Sequence, residues 1–443
     1  MDAPVAGPAQ LEGGGRPTAR LPLAQLLQVS VYWFGINAVW GGWSIVSQER
    51  IPELVPHDQY PLWIAVIAVL GMMVPLLLQP TIGSISDYTM SRWGRRKPYI
   101  AIGATLDVVF LVGIATSQTY LTLLVFFVLL QFSSNFAQGP FQGYVPDLVP
   151  EEQVGLASGL MGMMSMLGLI GGTVVLSVGY ATRDFTMPIV AVGVMELATA
   201  LGTVLWVREG RAAKPRGGRS WRSIALETWG TDILQNRSYV WLLVSRFFLL
   251  AAPGTFQAFY VRYLTDSLGM SDADKAVWVP VIAGLLVVAM AIGAILSASL
   301  SDRLGRKRLI YFGAACGAAG LAIVAIAPAI QLATVGGVLI GFGGGNFLAV
   351  DWALMTDIIP AASAGRYMGM SNVATATNGP AATVLAAVVI SLVGLAAGFG
   401  LGVRAAFLVA VGLYGIGALC LRPVVEPRRT PTGLAKAAVP AGS

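Results

Sequence analysis

Long apolar runs broken by short polar segments occupy almost the whole chain. A helix needs about 20 apolar residues to cross the hydrocarbon core of a bilayer. Runs of that order lie near 22–47, 60–84, 98–117, 120–144, 154–179, 187–207, 239–264, 276–299, 308–328, 333–357, 366–393 and 402–422. The pattern predicts an all-α membrane protein with twelve transmembrane helices. One long connection, 208–238, separates spans six and seven; it is rich in Arg, Gly and Ser. Its stretch Trp221–Leu234 has the alternation of an amphipathic helix lying on the membrane surface. The expected organisation is a disordered tail over 1–21, a six-helix bundle over 22–207, the linker 208–238, a second six-helix bundle over 239–422, and a disordered tail over 423–443.

The hairpin between spans two and three carries Asp87, Arg92, Gly94-Arg95-Arg96-Lys97 and Pro98. A similar run, Ser301-Asp302-Arg303-Leu304-Gly305-Arg306-Lys307-Arg308, returns between spans eight and nine. A second match is in register with it: Asp147-Leu148-Val149-Pro150, Gly155 and Gly159 correspond to Asp357-Ile358-Ile359-Pro360, Gly365 and Gly369. Two six-span halves in the same orientation, joined by a linker, point to the major facilitator architecture.

Charge sets the expected orientation. Only 11% of residues are charged and 56% are hydrophobic, against roughly a quarter charged in soluble domains. Of the 28 Lys and Arg residues, five (Arg50, Arg183, Arg262, Lys275 and Arg404) fall in one set of loops and Arg246 falls inside a span; the remaining 22 lie on the other side with both tails. Positive segments stay in the cytoplasm, so both termini are expected there, in a multi-pass protein of the cell membrane. Residues 1–21 have no apolar stretch of the signal-peptide kind. The two cysteines, Cys316 and Cys420, lie in different spans, and the lone histidine, His57, lies in an outer loop. Neither a disulfide, a metal centre nor a cofactor is expected; the coupling ion would be the proton. No nucleophile–base pair, phosphate loop or metal spacing marks an enzyme, and no nucleic-acid partner is expected. The expected partners are a small-molecule substrate and the lipid bilayer, around a monomer.

The segment from Gln79-Pro80 through Gly83, Ser86-Asp87, Ser91-Arg92, Gly94-Arg95-Arg96, Pro98 and Ile100 resembles the span-two signature of sucrose–proton symporters and their animal relatives, in the glycoside–cation symporter group of the major facilitator superfamily. Gln138-Gly139-Pro140 and Asp147-Leu148 resemble that group's fourth span. Two departures stand out. Gln79 occupies the place of the sodium-binding acid of melibiose-type relatives, and Gln142 that of the span-four arginine of the sucrose carriers. The resemblance implies that spans one, four, seven and ten line a central cavity. It also implies a cytoplasmic gate made by Gly83, Asp87, Arg95, Arg96 and Lys97 with the second copy Asp302, Arg306 and Lys307, closed when the carrier is open outward.

A charge at mid-membrane costs about 3 kcal/mol on insertion scales and marks a functional or paired residue. Asp107 (span three), Glu196 (span six), Arg246 (span seven) and Asp351 (span ten) are such charges. Arg246 and Asp351 are expected to interact, with Asp351 exchanging the coupling proton and Asp107 as the rival proton site; Glu196 reads as an interhelical packing or hydrogen-bonding residue. Gln131, Asn135, Gln138 and Gln142 recur at helical spacing on span four, and Ser30, Trp33, Asn37, Trp40 and Ser44 on span one. Amides pair with hydroxyls and indoles stack on the apolar face of a sugar ring, so these stripes are candidate substrate contacts. Polar stripes also glue helices together in lipid. Gln257, Tyr260, Asn372, Thr375 and Asn378 add further candidates on spans seven and eleven, and Pro253-Gly254, Gly343-Gly344-Gly345 and Gly379-Pro380 are potential hinges. The expected function is alternating-access, proton-coupled symport of a small polar solute, a sugar or glycoside. The alternatives are a proton-driven exporter of drugs or metabolites and a non-transporting membrane sensor.

Overall fold

The computed structural model describes residues 19–89, 91–209, 236–358 and 364–426. Every described element is helical. α1 consists of Leu23–Ser30 and Tyr32–Leu54, and α2 to α6 are Tyr60–Asp87, Lys97–Ala115, Tyr120–Gln142, Val154–Thr182 and Thr186–Trp206. α7 is Arg237–Arg262, continued by a π-helical turn over Tyr263–Ser267; α8 to α12 are Asp272–Leu304, Arg306–Ile326, Ile330–Ile358, Ala364–Ala397 and Phe399–Leu421.

Among the described residues, eleven helices are long and apolar enough to cross a membrane. The twelfth, α1, falls short of that apolarity. The same polar and aromatic stripe that singled it out in the sequence lowers its hydropathy, and its helix is interrupted at Val31. Other predicted boundaries also move. α4 stops at Gln142, and Tyr144–Leu148 forms a separate short helix. α8 runs through the Ser301–Leu304 segment expected in a loop, and only Gly305, with φ of 85°, breaks it from α9. The matching turn before α3 carries Gly94 at φ 122°. These positive φ angles are open to glycine at little steric cost. Helix starts follow local chemistry: Thr119 and Thr122 form a capping box on α4, Ser271 and Asp274 form one on α8, and Asn236 caps α7.

The helix pairing repeats. α1 packs on α5 and α6, α2 on α4, and α3 on α4 and α6; α7 packs on α11 and α12, α8 on α10, and α9 on α10 and α12. The halves meet mainly through α2 with α11 and α5 with α8. Small residues bring the backbones together, as expected where lipid gives no hydrophobic drive between helices. A Cβ on Gly168 or Gly172 of α5 would run into the carbonyls of Phe34 or Ala38 on α1. A Cβ on Gly341 or Gly345 of α10 would run into those of Leu286 or Met290 on α8.

The edges of the predicted tails and linker hold on to the bundle. Arg20 pairs with Glu152 at 2.9 Å, Glu209 accepts from the Arg96 backbone N–H at 2.8 Å, and Glu426 accepts from that of Arg306 at 2.7 Å. The amphipathic stretch Trp221–Leu234 and the rest of the tails and linker lie outside the described residues.

Gly172→Val should lower the stability of the purified protein by about 1–3 kcal/mol through overpacking. Gly415→Ala, whose Cβ meets nothing within 4 Å, should leave it unchanged. Thermal unfolding in detergent measures both.

Candidate functional site

A cavity of about 360 Å³ lies between the halves, lined chiefly by α7, α8 and α10 with contributions from α1, α5 and α11. That is within the usual range for small-molecule sites. Its polar lining among the described residues is Ser44, Thr173, Gln257, Tyr260, Thr375, Asn378 and Tyr414; Leu249, Phe256, Leu286 and Phe347 are among its apolar walls. Among the described residues, none that lines the cavity carries a charge. Gln257, Tyr260 and Asn378, candidate substrate contacts in the sequence, line this cavity, and Gly254, Gly343, Gly344 and Gly379 border the same space.

The buried Arg246–Asp351 pair stands directly behind this wall. The Arg246 guanidinium binds the Asp351 carboxylate, and its Nε donates to Thr375 Oγ at 3.2 Å. Thr375 faces the cavity, so one hydroxyl connects cavity and ion pair. Asp351 Oδ1 has no hydrogen-bond partner among the described residues.

The span-four amides are arranged differently from a row pointing at a ligand. Gln79 of α2 donates to Asn135 at 3.1 Å and to Gln138 at 2.5 Å, and Asn135 donates to the Gln131 carbonyl at 2.7 Å. They form a ladder that ties α2 to α4, beside the close crossing of Gly83 and Gly139. Gln142 is exposed at the end of α4. On α1, Trp33 packs against Phe141 at 5.6 Å between centroids, Asn37 donates to the Trp33 carbonyl, and Trp40 is half-buried in the core. The Asn372 side chain lies outside the described residues.

Asp107 is fully buried on α3, accepts from Ser133 of α4, and lies within hydrogen-bonding reach of Glu196 on α6. Two acids that read as separate in the sequence are neighbours.

At the basic end, Arg95 and Arg96 both bind Asp147, and Arg96 also donates to the Pro140 carbonyl at 2.6 Å. Arg96 lies so close over Gly143 that any Cβ there would displace it. Tyr144 donates to Glu209; burial, then the Glu209 carboxylate, raises its phenol above the ordinary range. In the second half, Lys307 Nζ donates to the carbonyls of Arg422 and Val424. These described contacts all run within one half. Lys97 opens α3, while the side chains of Asp87 and Asp302 lie outside the described residues.

The contacts that join the halves cluster at the opposite, Lys/Arg-poor end. The fully buried Gln48 accepts from the Val261 N–H at 2.8 Å and donates to the Gln257 carbonyl at 3.2 Å. An uninterrupted helix would pair those two groups with each other, so an α1 amide is inserted into the α7 ladder, just before the π-helical turn. Tyr60 donates to Asp266 at 2.7 Å, and Arg262 pairs with Asp266 at 2.6 Å while stacking over Tyr60. Lys275 binds Glu49 at 2.9 Å and sits over the Tyr180 ring. Arg262 and Lys275, read as loop charges in the sequence, are buried inter-half residues. Gln48 continues the α1 stripe one helical step past Ser44, a signal that could have found it. Nothing in the sequence alone paired Glu49 with Lys275.

The family model for the Major Facilitator Superfamily matches residues 30–383. The chain belongs to that superfamily. This major facilitator is 33% identical over 153 residues, 30% of its length, to the human membrane-associated transporter protein. It is 26% identical over 188 residues, 38% of its length, to the sucrose transport protein SUC4 of Arabidopsis thaliana. Those matches span 27% and 35% of the relatives' own lengths, about a third. Its fold is similar to the inward-facing, unoccupied structure of a bacterial homologue of the human lysosomal transporter Spinster, with a TM-score of 0.72 at 14% identity, over 92% of this chain and 98% of that one. It is also similar to the nucleoside transporter NupG, with a TM-score of 0.70 at 15% identity, over 90% and 99% of the two chains. The protein is therefore a multi-pass membrane protein of the major facilitator type.

Two outcomes follow from these contacts. Removing one partner of a buried ion pair costs about 3–5 kcal/mol because the other charge is stranded. Arg246→Ala should destabilise the protein by that order, and Arg246→Gln combined with Asp351→Asn should recover much of the loss in thermal unfolding. At the Lys/Arg-poor end, Lys275→Ala should loosen the closure. With both native cysteines replaced by serine, a cysteine at Ser44 should react with an impermeant maleimide at least tenfold faster than in the same background with Lys275 intact.

Proposed function

We propose that this transporter carries a small, neutral, hydroxyl-bearing solute, a sugar or glycoside, by proton-coupled symport. The observation that carries the reading is the cavity lining: amide and hydroxyl groups against apolar walls, with no charge among the described residues. A charged solute would meet no counter-charge there, and burying an unpaired ion is costly. A neutral polyol can bond to Gln257, Tyr260, Thr375 and Asn378 while its apolar ring face packs on Phe256 and Leu286. The names of relatives support the same class, since sucrose transport proteins from two plants match parts of this chain.

In this reading Asp351 takes up and releases the coupling proton. Protonation frees Arg246 from its partner and loosens the contact with Thr375, which changes the wall the solute touches. The basic end faces the cytoplasm, and the contacts that join the halves lie at the outward end. The carrier works as a monomer in the cell membrane.

Counterflow in proteoliposomes tests the reading. Vesicles loaded with unlabelled sucrose or an aryl glycoside should accumulate the labelled solute transiently. Gln257→Ala and Asn378→Ala should each raise the half-saturating concentration about tenfold, as expected for the loss of a hydrogen bond of about 1–1.5 kcal/mol. Asp351→Asn should retain counterflow and lose accumulation driven by a proton gradient. Efflux of lipophilic dyes with no sugar exchange would favour an exporter.

A further inference from the structure

The carboxyl groups of Asp107 and Glu196 meet in the N-terminal half, away from the cavity. Asp107 comes from α3 and Glu196 from α6, and both are fully buried. Ser133 of α4 donates to Asp107 Oδ1, and Tyr32 of α1 lies 3.5 Å from Glu196 Oε1 with its hydroxyl directed to it. Each acid keeps a second oxygen, Asp107 Oδ2 and Glu196 Oε2, buried and without a hydrogen-bond donor among the described residues. The titratable groups facing the pair are Tyr32 from α1 and the two acids themselves; α4 contributes only the Ser133 hydroxyl. No described lysine or arginine acts on either acid.

Two carboxylates in contact, shielded from water and without a cation, cannot both be ionised. One proton between them removes a charge and supplies the missing donor, because a neutral carboxyl donates where a carboxylate only accepts. The surrounding hydroxyls already serve as donors, so the vacant role is that of a hydrogen.

We propose that Asp107 and Glu196 form a single proton-binding site, a carboxylic acid bonded to a carboxylate, built into the junction of α1, α3, α4 and α6. The site stands behind both polar stripes. Tyr32 precedes Trp33 on α1, and Ser133 lies between Gln131 and Asn135 on α4. Tyr32 also packs edge-on against Phe141 at 4.9 Å, and Phe141 against Tyr144 at 5.8 Å. Loss of the proton would leave like charges facing each other on Asp107 and Glu196 and push α3 away from α6, so the site acts through helix position and not through solute contact. Its use in a transport cycle rests on the proton-coupled reading above; its existence does not.

Infrared difference spectroscopy of the protein in liposomes, between neutral and strongly alkaline pH, reads the site directly. The wild type should show the C=O stretch of a buried protonated carboxylic acid. Asp107→Asn combined with Glu196→Gln should abolish that band, whereas Asp351→Asn should leave it. Ser133→Ala, a milder change, should shift its frequency by removing one hydrogen bond. A wild type without the band, or a band unchanged in both the double variant and Ser133→Ala, would overturn the proposal. Counterflow on the same vesicles separates the two ideas: exchange without the band leaves transport standing and removes the proton site.

Discussion

A polar group inside a bilayer has no water to turn to, so each one must find its partner within the protein. Gln48 shows how far that constraint shapes the molecule. Its side-chain amide has the same donor and acceptor as a peptide unit and replaces one rung of the α7 ladder. The helix is thereby opened without leaving Val261 N–H or the Gln257 carbonyl unsatisfied. Because the amide comes from the other half, the rung is also a joint. The neighbouring contacts of Tyr60 with Asp266 and of Glu49 with Lys275 reinforce it with charge.

The two halves repeat one pairing of helices yet divide the polar inventory unequally. The first half spends its α4 amides internally, in the Gln79–Asn135–Gln138 ladder, sends Gln48 across to α7, and keeps Asp107 and Glu196 together behind Tyr32. The second half places an ion pair behind a cavity wall and leaves Gln257, Tyr260 and Asn378 facing open space. Duplication supplies the scaffold; substitution at equivalent depths differentiates the sites.

Most of the architecture was legible in the sequence, because crossing a bilayer demands long apolar runs and the repeated glycine–arginine turns mark the doubling. Periodicity placed Gln131, Asn135 and Gln138 on one face correctly, but it cannot say what stands opposite, and Gln79 turned out to be the partner. Charge counting treated Arg262 and Lys275 as topology markers; Tyr60, over which Arg262 stacks, and Glu49, which binds Lys275, are far away in sequence, and only the fold brings them together. The same distance separates Asp107 from Glu196. Arg246 and Asp351 could be matched because a membrane span tolerates so few charges that opposite signs at similar depth pair almost by default.

The carboxylates that close each half have a consequence of their own. Glu209 follows α6 and caps α3, while Glu426 follows α12 and caps α9, so either six-helix unit carries its own terminal clasp. A chain severed within 210–235 retains both clasps and every inter-half contact described. Two separately synthesised pieces of this chain, produced in one cell, can therefore be expected to find each other in the membrane and reconstitute the whole.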